Sequence, residues 1–82
     1  MDLRLLTFNY WIEAARDQLA RAALYSAPVV RADFLRMTQS FVRLALRAAN
    51  AMGCADRKAL CLRILNWLRA DLIRCHPIAL AA

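Results

Sequence analysis

Glycine occurs once in this chain, at Gly53, and proline twice, at Pro28 and Pro77, so little in its 82 residues interrupts regular backbone. β-branched residues are sparse and never alternate with polar ones over a strand length, which excludes a sheet. Alanine, leucine and arginine dominate instead, and all three are strong helix formers. The expected fold class is all-α.

Acids are also scarce. Six aspartates and glutamates face eleven arginines and one lysine, for a net charge of +6. Such a balance favours acidic proteins, nucleic acids or anionic surfaces as partners. A GC-rich coding sequence would give the same arginine excess without any function. No glycine-rich loop is present to cradle a phosphate, and the single histidine, His76, has no acid near it in sequence. Enzymatic activity and a bound cofactor are therefore not expected.

Long uncharged runs are missing too. None reaches the roughly 18–20 residues of a transmembrane helix. The first stretch, MDLRLLTFNYWIEAA, carries Asp2 and lacks the basic start and cleavage site of a signal peptide. The expected location is cytoplasmic, with no membrane partner. Cys54, Cys61 and Cys75 are an odd number of cysteines, which fits reduced thiols in such a compartment. Cys61 and Cys75 fall on one helix face among leucines and read as structural. No CxxC pair supports a metal site. A redox or nucleophilic role would rest on Cys54, whose pKa a nearby helix N-terminus would lower.

What the chain has in excess is apolar surface. It is 62% hydrophobic, against roughly 45–50% in ordinary globular domains. A single domain of this size buries only part of that, so a second subunit or a partner groove is expected to cover the rest.

Periodicity predicts three helices in one domain spanning 1–82. The first covers about 7–25, with Phe8, Trp11, Ile12, Ala15, Leu19, Ala22 and Ala23 on one face and Thr7 or Asp2 as the cap. Leu3, Leu5 and Leu6 add a first turn or fold back as an arm. Pro28 ends the first helix near Tyr25. The second helix spans about 30–52, with Ser26 or Asp33 as candidate caps. Its predicted seam is Val30, Phe34, Met37, Phe41, Leu44, Ala48 and Ala51 at alternating 4,3 spacing. Gly53 supplies its left-handed terminus. The third helix covers about 56–75, capped by Asp56 and ended by 76-HP-77, with Cys61, Ile64, Leu65, Leu68, Leu72 and Cys75 as its core stripe. The tail 76–82 is expected to fray. Short connections predict a small three-helix antiparallel bundle, a helical hairpin plus a third helix. Dimerisation is expected to bury helix 3 and the Leu3–Leu6 arm.

Two features point to binding. Arg36, Arg43 and Arg47 lie on the face opposite the predicted seam, and no aspartate or glutamate occurs between Asp33 and Asp56. Guanidinium groups so placed suit carboxylates or phosphates. Leu62, Trp67 and Ile73 lie off the core stripe of the third helix, where tryptophan is a favoured interface anchor. The expected partner-binding residues are these six: Arg36, Arg43, Arg47, Leu62, Trp67 and Ile73. They describe a small non-enzymatic regulator, an inhibitor or adaptor, engaging another protein with an acidic surface. The alternative is a helix-turn-helix-like, nucleic-acid-binding transcriptional regulator. Ala49, Met52, Gly53, Ala59 and Leu62 loosely match its spacing. Against it, the first of the two helices is too long and 56-DRKALCLR-63 interleaves its charges with apolar residues.

Overall fold

In the computed structural model, the backbone is described for residues 2–81 and the side chains for residues 2–75. Among these the chain is all-α, with helices α1 (Leu3–Ala22), α2 (Pro28–Met52) and α3 (Ala55–Ala81). α1 begins four residues earlier than the periodicity suggests. Asp2 is its cap, accepting a 2.9 Å hydrogen bond from the Arg4 backbone N–H. The N-terminal leucines therefore form the first turn of the helix and not a separate arm.

Proline and glycine set the two turns. α1 ends at Ala22, three residues before the expected Tyr25, because Ala23–Tyr25 turn the chain. Ala27 is extended (φ −65°, ψ 119°), as a residue before proline must be, and Pro28 takes the first helical position. No side chain caps this end, so neither Ser26 nor Asp33 serves there. At the other end of α2, Gly53 sits at φ 66°, ψ 27°. The Cys54 N–H reaches back to the Ala49 carbonyl at 3.1 Å, closing the helix in a Schellman arrangement. Cys54 then occupies the capping position before α3, and Asp56 lies inside the first turn, not at the cap.

α3 does not stop at Cys75. It runs on to Ala81 through Pro77. Proline inside a helix removes one bond to the carbonyl four residues back. That carbonyl belongs to Ile73, an exposed residue, where water can take the place of the missing N–H. The expected fraying of 76–82 falls outside the residues whose side chains are described.

α2 is the spine. α1 and α3 each pack along it, and among the described residues no Cα of α1 comes within 8 Å of a Cα of α3. The α1–α2 pairings run in opposite order along the two helices. Arg4 donates to the Ala51 carbonyl at 2.7 Å, Trp11 stacks on Phe41 at 5.6 Å, and Tyr25 stacks on Phe34 at 5.3 Å. Arg4 thus supplies a cation to the C-terminus of α2, whose last turn has no basic residue of its own.

The buried centre of α2 is Ala32, Leu35, Thr38, Val42, Ala45, Ala48 and Ala49. This corrects the predicted seam: Val30 and Met37 are exposed, as is Ala51, and the large Phe34 and Phe41 lie at the edge facing α1. A helix gripped on two sides buries an arc centred between its neighbours. Alanines share that centre with Leu35 and Val42 and let the backbones approach. On α1 and α3 the predicted faces match better. Phe8, Ala15, Ala22, Cys61, Leu68 and Cys75 are buried, though Ala23 is exposed.

One ion pair fastens the far end. Arg31 on α2 donates to Asp71 on α3 at 2.8 Å, and Arg74 approaches the same carboxylate at 3.6 Å. The Asp71 side chain is 10% exposed and that of Arg31 32%. Removing one partner strands a buried charge, whereas removing both need not. Arg31→Met is expected to destabilise the fold by about 1–3 kcal/mol in urea titrations followed by circular dichroism. Asp71→Leu added to it should recover most of the loss. A double variant no more stable than the single one would show that the pair is not coupled.

Candidate functional site

Because α1 and α3 flank α2 without close backbone contact among the described residues, a groove of about 380 Å³ runs between them. Thr38 and Val42 of α2 form its floor, Ile12, Ala15 and Leu19 of α1 one wall, and Ile64 and Trp67 of α3 the other. Ile12, Ala15 and Leu19 share a face through 3,4 spacing, as do Ile64 and Trp67. Its interior offers no free polar group, since the Thr38 hydroxyl already donates to the Phe34 carbonyl at 2.9 Å. Trp67 is 48% exposed, half its ring packed and half presented to solvent.

The rim is basic. Arg16 and Arg63 stand at the groove edges, and neither is paired with an acid among the described residues. At one end the Arg57 guanidinium lies over the Phe8 ring at 5.6 Å, so α1 and α3 touch through side chains there.

The six residues expected to bind a partner are not gathered into this site. Only Trp67 lines the groove. Arg36 and Ile73 line a second cleft between α2 and α3, with Arg69, Gln39 and Leu72. Arg47 lines a third, with Arg4, Thr7, Trp11 and Leu44. Arg43 is exposed on α2, and Leu62 is exposed on α3. Helical geometry puts Leu62 near Ile73 and away from Trp67. The arginine row is also less free than its sequence suggests, because Asp33 pairs with Arg36 at 3.0 Å.

Sequence reasoning missed Arg16 and Arg63 as rim residues and Asp71 as an anchor. Asp71 did leave a signal: it is a lone acid beside Leu72 and three residues past Leu68, at the border of the apolar stripe.

α2 and α3 are joined by only Gly53 and Cys54, and Arg31 still meets Asp71 far from that turn. The helices of a helix-turn-helix cross at roughly 90–120° and diverge within a few turns. Here α2 and α3 still meet at Arg31 and Asp71, which weighs against the helix-turn-helix alternative. No group of three or more potential metal-ligating residues occurs among the described residues, and no helix there is long and apolar enough to cross a membrane. No protein-family model, curated protein or solved structure matches the chain.

Cys54 is the distinctive thiol. The Arg57 backbone N–H and guanidinium both bond its sulfur, the latter at 3.3 Å, and hold its pKa below the usual thiol value. Burial pushes Cys61 the other way. A lowered pKa means more thiolate at neutral pH, and the thiolate is the species alkylated. Iodoacetamide is therefore expected to modify Cys54 first, with its rate half-maximal at a lower pH than for a free cysteine. Cys61 should react only on unfolding. Peptide mapping of a pH series reads both, and equal rates at the two cysteines would contradict this assignment.

Proposed function

We propose that the chain is a non-catalytic binding protein that engages another protein through the arginine-rimmed groove, acting as an inhibitor or adaptor. The observation that supports this is the groove itself. It is open and apolar, with half-exposed Trp67 on one wall and unpaired arginines at its lip. A small-molecule site needs convergent polar groups to fix orientation, and the groove interior supplies none. A protein partner needs an aromatic anchor within an apolar patch and a polar rim, which are present.

Nucleic-acid binding is the second reading. It is favoured by Arg36 and Arg69 lining one cleft, two guanidinium groups on the side of α2–α3 away from Trp67. No aromatic residue lines that cleft to stack a base. Homodimerisation, also expected from the apolar excess, belongs to faces outside the groove, such as Leu62 with Ile73. Two grooves set face to face would oppose Arg16 and Arg63 to themselves.

Affinity capture with and without nuclease separates these readings. The wild type and the triple variant Arg36→Ala, Arg43→Ala, Arg47→Ala are expected to retain the same nuclease-resistant protein. Trp67→Ala should lose it, at a cost of about 2 kcal/mol or more in binding. Its melting temperature should change little, because half the ring is already in water. Capture that disappears with nuclease would establish the nucleic-acid reading instead, and loss of a nuclease-resistant protein in the triple variant alone would move the protein interface from the groove to the arginine row.

A further inference from the structure

We infer that the groove's occupant is an amphipathic α-helix with acidic residues flanking its apolar stripe, contributed by a protein other than this chain. This rests on the protein-binding reading and specifies its partner.

The choice of a helix follows from backbone chemistry. An extended segment would press unpaired N–H and C=O groups against Ile12, Leu19, Ile64 and Val42. The one hydroxyl on the floor, that of Thr38, is already engaged. Buried backbone groups without partners cost free energy comparable to lost hydrogen bonds. A helix satisfies its own. The dimensions agree: Ile12 to Leu19 spans about 10 Å of α1, or two helical turns. A helix laid there would touch both α1 and α3, which make no close backbone contact among the described residues.

The acidic flanks follow from the rim. Arg16 and Arg63 stand on opposite walls without acids of their own, while Asp71, at the α3 border, is already held by Arg31 and Arg74. A helix with glutamates or aspartates on both sides of its stripe would meet both arginines; one flanked by lysines would oppose them.

A second copy of this chain does not meet that description. Its most acidic helix face is the outer side of α1, with Leu6, Tyr10, Glu13, Asp17 and Leu24. There the acids occupy the midline, Asp17 is paired with Arg21 at 3.2 Å, and no large apolar residue of α1 follows Tyr10 on that face, Leu24 lying in the turn beyond the helix. Two turns of that face would bring carboxylates against Val42.

The test uses a panel of stapled helical peptides of about four turns, with leucine, isoleucine or phenylalanine anchors at i, i+4 and i+7. Each is made with glutamate or lysine flanks. In a Trp11→Phe background, Trp67 is the only tryptophan, and its emission reports burial. Members of the glutamate series are expected to bind and shift that emission to the blue, at least tenfold more tightly than their lysine counterparts. Arg16→Glu with Arg63→Glu should reverse the preference. Arg21→Glu with Arg69→Glu, the same change of charge elsewhere, should preserve it. Absence of binding across the panel, equal affinity for both series, or equal effects of the two double variants would overturn the proposal. So would light scattering that finds micromolar oligomers which the Arg16/Arg63 variant dissolves, because the occupant would then be a second copy. A cellular partner lost with Trp67→Ala while no panel helix binds would overturn the acidic helix and leave the protein-binding reading standing.

Discussion

Everything in this fold depends on the packing of two helices onto a third that must serve both. Among the described residues α1 and α3 share no close backbone contact, so their relative positions depend chiefly on α2. That burden explains the composition of its buried arc. Ala45 and Ala49 are fully buried beside Leu35 and Val42, and Ala32 nearly so. Alanine contributes little transfer energy but lets backbones come close, while each fully buried leucine or valine contributes about 1.5–3 kcal/mol. The larger aromatics sit at the α1 edge, where Trp11 on Phe41 and Tyr25 on Phe34 form stacked pairs.

The same burden explains what the sequence conceals. On α1 and α3, each with one neighbour, apolar residues at 3,4 spacing mark the buried stripe directly, and Phe8, Ala15, Cys61 and Leu68 can be read off. On α2 the seam traced through the largest side chains is rotated toward α1. Aromatic residues mark the edge of this two-sided interface; alanine, threonine, Leu35 and Val42 share its centre. Local chemistry was legible where it is self-contained, as at Pro28 and Gly53. The Arg31–Asp71 pair and the Arg4 bond to the end of α2 join residues forty or more positions apart, and no local pattern announces them. The binding residues were legible only in part, for the same reason. Trp67 could be singled out as apolar and off the stripe. That Arg16 and Arg63 share a groove with it follows only once α1 and α3 stand on the same side of α2.

The groove is a consequence of this topology. Side chains join its walls near the α2–α3 turn, where Arg57 lies over Phe8, while Arg31 on Asp71 ties α3 to α2 at the far side. Ala15 lines the α1 wall between Ile12 and Leu19. A longer side chain there would join the walls and remove the opening. The apolar excess in the composition thus has a location.

That location ties binding to stability. A chain whose outer helices share no close backbone contact among the described residues, and touch where Arg57 lies over Phe8, holds their separation weakly. An occupant touching Ile12 and Leu19 on one wall and Ile64 and Trp67 on the other would supply the missing contact along the whole groove. It would bind the folded arrangement and not the unfolded chain, so its affinity would appear as added stability that grows with its concentration. The arginine rim then has two roles. Without an occupant, Arg16 and Arg63 would keep the apolar lip hydrated and oppose the stacking of one groove on another. With one, they would set which flanking charge the occupant carries. Specificity against self and selection of an acidic partner would therefore reside in the same two side chains.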